Sequence, residues 1–215
     1  MELYFAPLAC SMSSRIALSE AGAPIDLMEV DTHAKRVIAT GEDYRAVNPL
    51  GYVPALKLDD GMVLTENCAI LQYIADKYPE AGLAPPPSDR IGRARLRQWL
   101  SFISSELHKG LMTPLLGRET PPEVKAWALA KYAPRLAYLD DKLKEREFLL
   151  DRFSVADGYL TVVLNWTRAT PEIDLSLHPN VQAYLERMRA RPSVAAALAT
   201  ELPLFQAEAA RRRAA

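Results

Sequence analysis

Leu3-Tyr4-Phe5-Ala6-Pro7-Leu8-Ala9-Cys10-Ser11-Met12-Ser13-Ser14-Arg15-Ile16-Ala17-Leu18 passes from a short apolar, β-favouring run into a helical pattern. Pro7 closes the strand, Ser13 and Ser14 offer helix caps, and Gly22 stands where a C-terminal stop would fall. Ile25 to Val30 then alternates apolar and polar residues, as a second strand does. Strand, helix and strand within about thirty residues make a βαβ unit, with parallel strands and a right-handed crossover.

Downstream, the polar stretch from Asp31 to Asn48 reads as loop with a short helix. Val53-Pro54-Ala55-Leu56-Lys57-Leu58, Asp59-Asp60-Gly61 and Met62-Val63-Leu64 spell a hairpin around an Asp-Gly turn. Thr65-Glu66-Asn67 caps a helix whose expected apolar stripe is Ala69, Ile70, Tyr73, Ile74 and Tyr78. The order βαβ, linker, ββα is thioredoxin-like. Residues 81–88, with Pro85-Pro86-Pro87, read as a linker between a domain at 1–80 and an all-helical domain at 89–215. In that second half the pattern predicts one long helix from Arg90 to about Leu116, bent where Gly110 and Pro114 interrupt it. Another is expected from Pro121 to about Arg146, and a third opens at the Ser154-x-x-Asp157 capping box. Shorter helices follow at 181–190 and 193–199, with a frayed tail at Arg211-Arg212-Arg213.

Composition excludes several classes. The 215 residues carry a net charge of −1, and no concentrated basic face suits a nucleic-acid binder. Charge is unevenly shared: residues 1–80 hold 6 Lys+Arg against 12 Asp+Glu, and the remainder holds 20 against 15. That asymmetry supports two domains and two copies docking. Cys10 and Cys68, the 2 cysteines, and 3 scattered histidines have no metal-ligand spacing. No secretory signal is legible at the N-terminus, and the apolar runs are too short to span a bilayer, so the expectation is a cytoplasmic protein without a membrane partner.

Cys10 lies between the first strand and the first helix, where unpaired N–H groups and a positive dipole end stabilise a thiolate. With no second cysteine three positions on, a Cys-x-x-Cys disulfide is excluded; a buried structural cysteine is the plainer alternative. Val53-Pro54 stands before the hairpin, where a cis bond would leave the preceding backbone free to pair a peptide-like ligand. Glu66 and Asn67 at a helix start suit an amino-acid head group, the carboxylate pairing an ammonium and the amide with free N–H groups holding a carboxylate. A plain helix cap explains them as well. Ser101, Ser105 and His108 share one face of the long helix at α-helical spacing. A single histidine is more often structural, and His33 and His178 read as loop residues.

Taken together, Leu3-Tyr4-Phe5-x-Pro7-x-Ala9-Cys10-Ser11, Asn48-Pro49-x-Gly51-x-Val53-Pro54-Ala55-Leu56, Leu64-Thr65-Glu66, Glu106-Leu107-His108-Lys109-Gly110 and Phe153-Ser154-x-Ala156-Asp157 resemble bacterial beta-class glutathione transferases, in order and over nearly the whole chain. The resemblance implies that Cys10 stands beside the glutathione sulfur and can form a mixed disulfide with it. It implies that Lys35 faces the glycine end and that Val53, beside a cis Pro54, pairs the cysteinyl part. Glu66 and Asn67 would contact the γ-glutamyl part. Ser101, Ser105 and His108 would complete the site from the helical domain, His108 near the sulfur. It further implies a homodimer. Three positions depart from the pattern: Asn67 replaces a frequent Ser or Gly, Ser101 a frequent Asn, and Tyr52 a familiar Gln.

The implied chemistry is attack of the glutathione thiolate on a small, largely apolar electrophile, seated between the domains, with glutathione as co-substrate and no metal. Lowering a thiol pKa by about two units needs roughly 2.7 kcal/mol, which a helix N-terminus and a donor such as Ser11 or His108 can supply. A rival is thiol–disulfide exchange at Cys10, resolved by a second glutathione. A third reading is a non-catalytic module on the same fold, against which the joint presence of Cys10, Glu66 and His108 argues.

Overall fold

The computed structural model describes residues 1–214. Two compact units divide the chain: Met1–Leu83 together with the stretch from Arg191 onward, and Ala84–Ala190.

In the first unit, β1 (Glu2–Phe5), α1 (Ser11–Glu20) and β2 (Asp26–Asp31) form the βαβ element, with Leu3 opposite Leu27 in a parallel register. The helix begins at Ser11, two residues before the expected caps, and Cys10 itself is its N-cap. It stops as a Schellman motif: Ala23 N–H bonds Leu18 C=O, Gly22 N–H bonds Ser19 C=O, and Gly22 takes φ 61°. β4 (Ala55–Lys57) pairs antiparallel with β1, and β5 (Val63–Leu64) with β4. The segment read as loop also contributes β3 (Arg36–Val37), an edge strand antiparallel to β2, before a 3₁₀ turn at Tyr44–Ala46. The sheet order is β3-β2-β1-β4-β5. Central β1 buries Leu3, Tyr4 and Phe5 on both faces. On one of these faces Tyr4 packs against Tyr44 at 5.6 Å, among Val30, Val37 and Ala55.

α2 (Asn67–Lys77) buries Asn67, Ile70, Leu71, Ile74 and Ala75. The stripe therefore lies one position around from the expected one: Ala69 is exposed and Tyr73 only half-buried. Leu71 and Ala75, not Ala69, complete the i, i+3, i+4 set that starts from Asn67.

α9 (Pro192–Ala214) also belongs to this unit, so the reading of 89–215 as one domain differs from the contacts at its C-terminal end. Its start is tied to α1 by the Arg191–Glu20 ion pair at 2.6 Å, with Ser193 on the same carboxylate. Its far end is held too, where Arg211 bonds Glu29 at 2.8 Å and Arg212 reaches Thr32. The expected fraying is replaced by a helix, because partners distant in sequence supply the contacts that a lone tail lacks.

The second unit is helical. α3 (Arg90–Phe102) runs on through a π-helical segment at Ile103–Met112 into α4 (Thr113–Leu116). Pro114 has no N–H to give and crowds the carbonyl four residues back; Thr113 N–H reaches His108 C=O, five residues back, and Thr113 Oγ1 bonds the same oxygen. The expected bend is thus a widened helix. The helix expected from Pro121 to Arg146 is two, α5 (Pro122–Tyr132) and α6 (Pro134–Leu143), divided where Pro134 interrupts the hydrogen-bond ladder. α7 (Val155–Asn165) opens on the Ser154–Asp157 capping box. Buried Asp157 accepts from Ser154 N–H, Leu149 N–H and Tyr184 O–H. α8 (Pro179–Ala190) starts where Asp140 of α6 accepts the N–H groups of Asn180 and Val181. No helix of the described residues is long and apolar enough to cross a membrane.

Candidate active site

Cys10, half-buried at the N-cap of α1, directs its S–H to Val53 C=O at 3.4 Å. Helical N–H groups just beyond it give this position a positive potential suited to a thiolate. Ser11, expected as a donor to sulfur, is turned the other way. Its buried hydroxyl donates to Ala6 C=O and accepts from Ala6 N–H, both at 3.2 Å. Its one proton is spent on the loop between β1 and α1.

Val53-Pro54 is cis, as the placement before the hairpin suggested. The turn in front of it is held from below: Tyr44 O–H and Asn48 Nδ2 both donate to Tyr52 C=O, at 2.8 and 2.7 Å. Lys35 crosses that turn, its Nζ 2.9 Å from Gly51 C=O and 5.5 Å from the centre of the Tyr52 ring. Gly51 has φ 64°, and a Cβ there would meet Lys35 Cδ at 2.8 Å. Tyr52, flagged as a departure, is 65% exposed and forms an aromatic bed for the ammonium.

Glu66, exposed, is the N-cap of α2 with φ 65° and ψ 112°. Asn67 is 8% exposed, and its amide faces inward. Ser13 Oγ donates to Cys10 C=O at 2.7 Å and accepts from Asn67 Nδ2 at 3.0 Å, while Ser14 Oγ donates to Asn67 Oδ1 at 3.1 Å. The Asn67 side chain is therefore a clamp between the starts of α1 and α2. The Asn67 backbone N–H lies in the first turn of α2.

These contacts join Lys35, Gly51, Tyr52, Val53, Pro54, Cys10, Asn67 and Glu66 into one continuous cluster in the first unit. Leu8, Lys35 and Glu66 all have positive φ, and the only further non-glycine residue of this kind among those described is Glu145. Such conformations cost on the order of 1–3 kcal/mol and gather at ligand sites. Sequence reading missed Ser13, Ser14 and Gly51. Ser13 and Ser14 stood there only as helix caps and Gly51 only within the motif string.

In the second unit His108 is buried: its Nδ1 lies 2.6 Å from Tyr159 O–H, and its ring meets Trp166 edge-on at 4.8 Å. Burial, with Lys109 beside it, pushes its pKa down to about 3, so the ring is neutral at pH 7. Ser101 and Ser105 are exposed, and Ser105 Oγ donates to Ser101 C=O. The shared face assumed α-helical spacing; the π segment turns His108 away from that face and into the packing around Tyr159 and Trp166.

The glutathione S-transferase N-terminal domain family matches residues 9–77, and the glutathione S-transferase C-terminal domain family matches residues 102–192. Glutathione S-transferase GstA of Escherichia coli O157:H7 is 43% identical over 202 residues, covering 94% of this chain and 98% of that protein. A sphingomonad glutathione S-transferase solved in complex with glutathione is 44% identical with a TM-score of 0.88, covering 94% of this chain and 98% of that one. The beta-class glutathione S-transferase of Sphingomonas chungbukensis is 46% identical with a TM-score of 0.87 over the same shares.

Proposed function

Because the chain belongs to the glutathione S-transferase family, we propose that it joins the glutathione thiolate to small, largely apolar electrophiles. Glutathione first gives its thiol proton to solvent. Its sulfur then forms a bond to the electrophilic carbon, and the leaving group departs with the electron pair of the bond it breaks. The observation that carries this reading is the single cluster running from Lys35 through Val53 and Cys10 to Glu66. Its groups answer the three parts of the tripeptide in order. Lys35 keeps donors beyond the one on Gly51 for the glycyl carboxylate. The Val53 backbone pairs the cysteinyl amide. Glu66 pairs the α-ammonium, and the backbone N–H groups at the start of α2 take the α-carboxylate. The glutathione sulfur then falls beside Cys10 at the positive end of α1.

Ser101, Ser105 and His108 enter this proposal through the family pattern alone. His108, neutral at pH 7, shares a hydrogen bond with Tyr159 through Nδ1 and enters as a neutral group rather than a cation. Homodimer assembly and a cytoplasmic setting belong to the same proposal. Sedimentation at micromolar concentration checks the first, and a species of 23.9 kDa alone would count against it.

The test compares initial rates with glutathione and either 1-chloro-2,4-dinitrobenzene or hydroxyethyl disulfide, for the wild type and Cys10→Ala. Conjugation of the aryl halide that survives the substitution is the expected outcome, with Cys10 auxiliary. Turnover confined to the disulfide and lost with Cys10 would replace the proposal by thiol–disulfide exchange. A protein that fails to bind glutathione in calorimetry would be a non-catalytic relative.

A further inference from the structure

Glu201 sits in the middle of α9 with none of its surface exposed. Its Oε2 accepts the backbone N–H of Leu8 at 2.8 Å, across 193 positions of sequence. Leu8 has φ 57°, a conformation a branched side chain adopts only when its surroundings hold it there. Two residues later the same loop ends at Cys10, the N-cap of α1. The loop is thus pinned at two points ahead of Cys10, by Ser11 on Ala6 and by Glu201 on Leu8. A carboxylate buried against one loop amide and one arginine needs a reason, since an uncharged residue could serve for packing alone.

We propose that Glu201 is a positioning residue for Cys10: through Leu8 N–H it holds the loop that presents the thiol at the start of α1. The grip depends on the charge of the carboxylate, since a hydrogen bond to an ionised acceptor is about twice as strong as one to a neutral acceptor. Burial raises the Glu201 pKa to about 7, opposed by the Leu8 N–H and by Arg15. The charged groups that α1 turns toward α9 are Arg15, whose Nη1 lies 3.4 Å from Glu201 Oε1, and Glu20, which is occupied by Arg191 and Ser193. Arg15 sets the opposite charge beside Glu201, and the proposed effect on the thiol runs through the loop. Near neutral pH the loop passes from a loosely to a firmly held state as Glu201 loses its proton.

Alkylation of Cys10 by iodoacetamide, followed by mass spectrometry of its peptide across pH 5 to 9, tests this without any glutathione turnover. Glu201→Gln keeps a neutral acceptor and mimics the protonated carboxyl at every pH. The wild type and Glu201→Gln should react alike below pH 6, and the wild type about fivefold faster above pH 8. A ratio that stays constant with pH, whether one or not, would reduce Glu201 to a structural contact and overturn the proposal. Should Glu201→Gln not fold, the Leu8 amide resonance of the wild type decides: it must titrate with a midpoint near 7, and a flat profile refutes the idea. A Cys10 inert in the wild type at all pH values would instead count against Cys10 as a reactive thiol, a separate failure.

Discussion

Gly51 shows how little room a site residue can have. Its φ of 64° is open to glycine, and the space where a Cβ would stand is filled by the Lys35 side chain at 2.8 Å. Gly51→Ala would push Lys35 off the Tyr52 ring and off Gly51 C=O. We expect it to weaken glutathione binding about tenfold, by calorimetry, through loss of one charge-assisted contact. The far-UV circular dichroism should remain that of the wild type; unchanged affinity would remove Lys35 from the site. Ser11 and Asn67 show on the same scale how the fold chooses partners. Both are polar residues at helix starts, yet their hydrogen bonds go to Ala6 and to Ser13 and Ser14. Residue type announces a hydrogen bond; the partner is set by what the fold brings near.

Among the elements, the π segment at Ile103–Met112 departs furthest from sequence expectation. Gly110 lies within it, and a Cβ there would stand 2.5 Å from the Tyr132 ring and 2.8 Å from Ser105 C=O. Gly110→Ala therefore forces α5 or the segment itself to shift, at a cost of about 1–3 kcal/mol from overpacking. Urea unfolding is the measurement, and an unaltered midpoint would mean the helix relaxes freely. The break between α5 and α6 was written in the chain as Pro134, whereas the π segment was not. A π segment needs its carbonyls to bond five residues on rather than four, which Pro114 permits without dictating where the widening begins.

For the molecule as a whole, two buried groups oppose each other in pH. His108 has its pKa lowered to about 3 from 6.5, so the unfolded chain binds its proton first and this stability is lost as pH falls below about 6.5. Glu201 has its pKa raised to about 7 from 4.5, so its contribution is full below 4.5 and is lost as pH rises toward 7. Asp157, raised by burial, acts in the same sense as Glu201. Between pH 4.5 and 6.5 the slopes offset. Denaturant unfolding of His108→Phe should show the second unit losing stability as pH rises, and Glu201→Gln should flatten the decline in the first. Equal pH profiles in all three proteins would contradict both assignments.

The sequence alone determined the elements whose signals are local: the βαβ start, the Asp59-Asp60-Gly61 hairpin, the capping box at Ser154, and the motif string that marks the family. Each depends on residues a few positions apart, where periodicity and turn chemistry act directly. Tertiary structure decided the rest. It returned α9 to the first unit through Glu20 and Arg191, set Glu201 under Leu8, and faced Asn67 inward. Those outcomes depend on pairs separated by tens to nearly two hundred positions, and a chain shows no local sign of which distant group will satisfy a buried charge or amide.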